Sequence, residues 1–541
     1  MNTIKTIYLI LCIFAISFLS RFWMSEWKWY AQFLRLKLKS KEEPDVGFDN
    51  KRDADPNKIL QEADDIYQLI SSTKPLFDIP PFERSTSAHN SKYYIMNPTE
   101  VHSTGNLLYT YVETYDYQGN RKTTGGDFFR ARIYDKKTLT AAVGSITDFN
   151  NGSYLVTFPL YWEGTVYISI KLQYSSEMVS LIHRLRDIDN YRMGFRGIFL
   201  SKNYKEMTKC HFNLTFTGPL CDLYYHNSGI KWMCEKPKNL SCENLSSLEY
   251  YFNEPSLSEA EKKFDDRKNV LKEIRPVGAS SVIVKKQGSN INLPKCQSHP
   301  LTYTNSTGFV QNHTWISSLC QVKRFRTSER VIQCIKGKKI YLVGDSTIRQ
   351  WFEYLVKIIP TLSKVNVGRN QWYSEKLAVD LTNNIYLQWR THGLPWHPGV
   401  PLMLPDSPSA VSLINNIYGG KEFITVICLG AHFTRYPLKV YLETLIHVRN
   451  AVKRLLGRSP DTTVILKNGN TRTPYKLLLD NDWLTYELNQ AFVAAFMGMN
   501  VSLVDAWDLT AAYESAELHP SEEVIKNEVD VLFSYICPNI D

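Results

Sequence analysis

The chain has 541 residues, 43% of them hydrophobic and 13% aromatic, with a formal net charge of +9 at pH 7. That length holds several domains, and that apolar content excludes a chain dominated by disorder. The charge is modest for the size, and no dense Arg/Lys stripe or nucleic-acid motif is present, so nucleic acid is not an expected partner.

Near the N-terminus, Ile7 to Leu19 is apolar apart from Ser17 and is followed by Arg21. Residues 1–30 therefore read as a secretory signal peptide or a short signal anchor. No clean small-x-small cleavage site precedes the Trp/Lys-rich stretch from Phe22 to Tyr30, which favours an uncleaved type II anchor. Either form puts the remainder in the secretory pathway, anchored in the Golgi lumen or secreted. Membrane contact is expected through this segment alone. Residues 31–89 are charged and weakly patterned, as in a stem.

Residues 90–205 carry short runs of strand type at 106–115, 128–134, 153–159 and 165–172, with turn residues between them. Asp148-Phe149-Asn150-Asn151-Gly152-Ser153-Tyr154, then Trp162-Glu163-Gly164, resembles the late strands of filamin-type immunoglobulin-like domains. A β-sandwich is expected here. Residues 206–275 hold a cysteine cluster and a charged connector, helix-prone from Ser258 through Lys272.

From residue 295 to 541 the pattern becomes α/β. Strands are expected at Ile340 to Val343, Ile385 to Trp389, Phe423 to Leu429, Thr463 to Lys467 and Val501 to Val504. Helical patterns lie at 347–359, 439–456 and 484–499. Such alternation implies a mostly parallel sheet whose site gathers at the C-terminal strand ends. Ser346, Gly430 and Asp505 each stand just beyond an expected strand.

Lys339 to Trp351 reads K-I-Y-L-V-G-D-S-T-I-R-Q-W. Here a strand runs into a helix whose apolar face is Ile348, Trp351, Phe352 and Leu355. A serine at that junction sits among free backbone N–H groups able to stabilise an oxyanion. It equally suits a plain helix cap, and the G-D-S tripeptide alone is a weak signal.

Sequons occur at Asn151, Asn213, Asn239, Asn244, Asn305, Asn312 and Asn500, which marks a glycoprotein if the chain enters the lumen. Cys210, Cys221, Cys234 and Cys242 form one group, and Cys296, Cys320, Cys334 and Cys537 another. Each group of four allows three pairings. Zinc is the rival explanation, but no C-x-x-C pair or matching histidine spacing supports a metal site. Cys428 reads as a buried free thiol.

Several further blocks resemble one family. They are Gly125-Gly126-Asp127-Phe128-Phe129-Arg130-Ala131-Arg132, Gly344-Asp345-Ser346-Thr347-Ile348-Arg349-Gln350-Trp351, Gly430-Ala431-His432-Phe433, Val504-Asp505-Ala506-Trp507-Asp508 and His519-Pro520. Their order resembles the NXPE family, which joins a neurexophilin-like domain to a PC-esterase domain similar to SGNH hydrolases. The resemblance implies a serine enzyme that adds or removes acetyl groups on glycans. Ser346 takes the nucleophile's place and His519 the general base's. The family pattern D-x-x-H would put an acid three residues before the histidine, where Ala516 stands instead. Asp508, Glu517 or a backbone carbonyl would have to orient the imidazole. Gly430 and His432 take the oxyanion positions. Arg349, Asn470 and Arg472 are candidates for substrate binding, although a solvated helix arginine and ordinary loop bonding explain them equally well.

Two functions follow from that resemblance. One is a lumenal glycan O-acetyltransferase or esterase with no cofactor, for which acetyl-CoA is a candidate donor. The other is an impaired family member that binds a glycan or a cell-surface receptor.

Overall fold

The computed structural model describes residues 56–70, 79–96, 98, 101–188, 193–212, 217–223, 232–287, 292–302, 306–367, 371–396, 399–403, 407–474 and 476–540. The apolar N-terminal segment lies outside them. Among the described residues, no helix is long and apolar enough to cross a membrane. Residues 1–72 form one compact unit, whose described part is the helix Pro56–Ile70. Its buried side chains, Ile59, Ala63, Ile66 and Leu69, recur at helical spacing. Residues 73–541 form the second unit.

The second unit begins with two mainly antiparallel sheets. One runs Arg275–Pro276, Lys92–Ile95, Leu107–Glu113, Ser153–Pro159, Ser145–Asp148. The other runs Thr314–Ser317, Gly308–Gln311, Thr140–Val143, Phe128–Asp135, Gly164–Tyr174, Ser281–Lys285, His102–Ser103. Strand Phe128–Asp135 alternates half-buried and buried along its length, the period-2 signature of one face turned to a core. That core joins Tyr93, Val112, Tyr154, Phe158, Ile133, Ile170 and Val282. Strand Gly308–Gln311 pairs with Thr140–Val143, so a hairpin from beyond residue 295 extends this β module.

The cysteine-rich segment forms a sheet of its own, ordered Leu220–Asp222, Met233–Glu235, Tyr204–His211, Met193–Ser201, Leu245–Phe252, Leu402–Met403. Cys210 faces Cys234 in register across two of its strands, and the two are bonded. Cys221 bonds Cys242. The connector holds a shorter helix than its composition suggests. Ser258 and Glu261 form a capping box for Glu259–Lys262, two 3-10 turns follow, and left-handed Leu271 (φ 58°) ends the run.

The C-terminal sheet runs His299–Pro300, Asn500–Val504, Thr463–Lys467, Phe423–Cys428, Lys339–Gly344, Ile385–Arg390, Lys376–Asp380, Ser363–Val365. The five strands from Asn500–Val504 to Ile385–Arg390 are mutually parallel, and the edges are antiparallel. Helices Ser346–Ile358, Leu438–Arg458, Asp482–Phe496 and Glu522–Ile536 accompany the sheet. Disulfides Cys296–Cys320 and Cys334–Cys537 tie this region, the second across 203 residues. Cys428 is free and buried. Four disulfides are the mark of an oxidising compartment.

Asn151, Asn239, Asn312 and Asn500 are exposed, and Asn244 is half-buried. Asn213 and Asn305 lie outside the described residues.

Candidate active site

Strand Lys339–Gly344 lies inside the parallel sheet, between Phe423–Cys428 and Ile385–Arg390, and delivers the chain to Asp345 and Ser346. Gly344 is required there, because a Cβ would collide with the carbonyl of Cys428 on the next strand. Asp345 is the N-cap of helix Ser346–Ile358. Its Oδ1 accepts from Thr347 N at 2.9 Å and Thr347 Oγ1 at 2.7 Å. Its Oδ2 accepts from Ala431 N at 3.1 Å. One buried carboxylate thus satisfies orphan donors of the helix and clamps it to the loop after strand Phe423–Cys428.

Ser346 is 8% exposed. Its Oγ lies 2.7 Å from His519 Nε2. Helix Glu522–Ile536 follows the His519 loop, and the Pro520 carbonyl accepts from Gln350 Nε2 at 3.1 Å. His519 is exposed as a residue, and partial desolvation of its imidazole lowers the pKa, Arg349 adding to that while Asp345, Glu353 and Glu517 oppose it. The direction of that shift favours the neutral imidazole, the form that can accept a proton on Nε2.

Of the expected orienting acids, neither binds His519. Asp508 is a correction: its Oδ2 accepts from Thr307 N at 2.8 Å and Thr307 Oγ1 at 3.1 Å, anchoring another segment. Burial, then Asp505, pushes the Asp508 pKa up, so this group tends to be neutral. Glu517 is exposed and acts on His519 through its field alone. Among the described residues, no hydrogen bond reaches His519 Nδ1. Ala516 offers its carbonyl to Thr473 N at 2.6 Å.

Gly430 lies in the loop clamped by Asp345, and its neighbour Ala431 spends its N–H on that carboxylate. His432 stacks on Trp396, with ring centroids 4.2 Å apart, and stands edge-on to His392 at 5.4 Å. Arg349 pairs with Glu353 at 3.1 Å and lies over the rings of Trp372 and Trp389.

Asn470 and Arg472 do not stand open to a cleft. Both are buried: Asn470 Oδ1 accepts from Lys467 Nζ at 2.7 Å, and Arg472 Nη2 donates to Thr434 Oγ1 at 3.2 Å. Among the described residues Asn470 Nδ2 and Arg472 Nε have no hydrogen-bond partner, so each side chain braces the site with one end and keeps another donor unspent.

That support was not anticipated. Lys467, fully buried at the end of strand Thr463–Lys467, also lies 3.5 Å from Thr347 Oγ1 and 3.9 Å from Glu528 Oε1. Glu528 Oε2 accepts from Trp351 Nε1 at 2.7 Å. A lysine closing an apolar strand and a glutamate inside the apolar stretch of the last helix were the available signals. His392 is buried as well, and burial holds it well below the ordinary histidine range. No group of His, Cys, Asp and Glu among the described residues could hold a metal ion.

Two family models match this sequence. One, described as "NXPE family member 4-like, C-terminal domain", matches residues 315–537. The other, described as "Neurexophilin", matches residues 77–258. Among solved structures, the chain has a 10% identical match to invasin, described as a bacterial integrin-binding protein. That match covers 57% of this chain and 60% of the invasin chain, at a TM-score of 0.14, and carries no argument on fold or partner.

Proposed function

This chain belongs to the NXPE family, and from that premise we propose that it is a secretory-pathway glycoprotein that adds or removes O-acetyl groups on glycans through Ser346. In this proposal the β module is an immunoglobulin-like, neurexophilin-like sandwich. The C-terminal region is an SGNH-like PC-esterase domain. The carrying observation is the 2.7 Å approach of Ser346 Oγ to His519 Nε2 beside the C-terminal ends of parallel strands.

In the reaction, His519 Nε2 takes the Ser346 proton as Oγ bonds to the acyl carbon. The carbonyl electron pair moves onto oxygen, with Gly430 and His432 as the proposed donors to it. The bond to the leaving alcohol or thiol then breaks, and His519 returns the proton to that group. A second acceptor reverses these steps on the acyl-serine. A sugar hydroxyl gives transfer, and water gives hydrolysis. For transfer, acetyl-CoA or another lumenal acyl carrier serves as donor substrate.

The test is mass spectrometry of glycan O-acetylation in cells expressing wild type or Ser346→Ala. A change in O-acetylation with wild type that disappears with Ser346→Ala is expected. Identical O-acetylation in both lines rejects the enzyme.

One observation favours a second function. Ala516 replaces the family acid, and no group among the described residues holds His519 Nδ1. An impaired esterase shell that binds a glycan or a cell-surface receptor fits that loss. Binding and cellular function would then survive Ser346→Ala intact.

A further inference from the structure

The loop that carries His519 starts at Glu514, which is tied to the β module. Helix Ala506–Tyr513 ends at Glu514, whose φ of 56° and ψ of 36° are left-handed. Glycine or asparagine is favoured at such a helix end. A glutamate stands there instead, and its carboxylate is divided between two cations: Oε1 meets Lys171 Nζ and Oε2 meets Arg132 Nη2. Arg132 is on strand Phe128–Asp135 and Lys171 on its paired neighbour Gly164–Tyr174. Lys171 is in register with Arg130, two residues from Arg132, so the three cations share one face of the sheet. Arg130 pairs with Asp482 at 2.9 Å, a second link from that face to the C-terminal region.

From Glu514 the chain runs five residues to His519. Ser515 N donates to Thr510 O at 2.9 Å, Ser515 O accepts from Thr471 Oγ1 at 3.3 Å, and Ala516 O accepts from Thr473 N. The base of the loop is thus held from the α/β side by bonds to its backbone, and from the β module by Glu514 together with Arg132 Nη1 on Ala512 O and Tyr513 Oη on His313 O.

We propose that Glu514 is a positioning residue, which through Arg132 and Lys171 lets the β module set the placement of His519 against Ser346. The coupling rests on Ser346 acting as the nucleophile. The β module is then part of the working site and more than a spacer.

Glu514→Gly separates this role from a merely structural one. Glycine eases the left-handed cap, so thermal stability stays level or rises, yet the clamp is gone. In the full lumenal chain, a fluorophosphonate probe should label Ser346 with a maximal inactivation rate about fivefold lower, the small end of typical site-to-site coupling. Its half-saturation concentration should not change, because probe binding is untouched. Deuterium uptake in residues 515–520 should quicken. The Arg132→Met/Lys171→Met pair should reproduce both effects. Labelling of Glu514→Gly at the wild-type rate overturns the coupling. If wild-type Ser346 takes no label, the nucleophile assignment fails, and exchange alone decides: faster uptake upholds the clamp, unchanged uptake overturns it.

Discussion

Ser346 Oγ and His519 Nε2 lie 2.7 Å apart although 173 residues separate them in the chain. A strand end delivers the serine, and the loop before the last helix delivers the histidine. In the proposed reaction the two are nucleophile and base with no acid behind them among the described residues, and the first predictions follow from that geometry.

The depressed His519 pKa sets the pH dependence. A histidine base works only when neutral, and partial desolvation shifts His519 toward the neutral form, below the ordinary value of about 6.5. Serine labelling should therefore hold as pH falls through that value and decline below it. Arg349→Met removes a charge that lowers the His519 pKa, so its acid limb should move upward. A wild-type limb above pH 6.5, from a pH–rate profile of labelling, would count against this base.

Ala516→Asp restores the acid of the D-x-x-H pattern. The position is exposed and its backbone bond to Thr473 does not involve the side chain, so the fold should tolerate it. Loss of a triad acid costs about 10⁴ in kcat in serine proteases, so a gain of roughly tenfold or more is expected. Esterase assays on an O-acetylated glycan would measure it. No gain would mean that residue 516 does not reach His519.

Asp345 should be the most stability-sensitive polar residue near the site. Asp345→Ala removes the helix cap and leaves the Ala431 N–H without its acceptor. The two losses together should cost about 2–4 kcal/mol. Urea denaturation followed by tryptophan fluorescence reads the change. A loss below about 0.5 kcal/mol would show that the clamp contributes little.

Asp508 should make the fold less stable as pH rises. Its folded pKa is raised above the unfolded value, by burial first and Asp505 second. The contribution is complete below the unfolded pKa of about 3.9 and is lost as pH climbs through the folded one. Asp508→Asn keeps an acceptor for Thr307 and removes the titration. Its melting temperature should equal or exceed that of wild type at pH 8, with less difference at pH 5. A clear loss at pH 8 would mean that the ionised form is the one the fold requires.

Much of the fold was legible along the chain. The switch from short alternating runs to apolar strands and amphipathic helices near residue 295 marked the parallel sheet, since period 2 and period 3.6 are local properties. The hairpin at 308–317 was missed because its pairing with Thr140–Val143 joins residues 167 to 171 positions apart, and nothing in four-residue strands names a distant partner. The helix-prone connector was overread, because the summed propensity of 258–272 ignores an early stop: Asp266 leaves helical geometry and starts a new turn.

The linear chain was enough to place Ser346 at a strand-to-helix junction, to show the missing acid at 516 and to imply an oxidising compartment from its cysteines. Each is written in residue identity and short-range spacing. Tertiary structure alone decided which cysteines pair, that His519 meets Ser346, and that Asp508 binds Thr307, Asn470 binds Lys467 and Arg472 binds Thr434 inside the protein. Those outcomes depend on strand ends brought together from distant parts of the chain. There a buried carboxylate or guanidinium must take whichever partner the packing supplies, because leaving it unpaired costs more than any local preference.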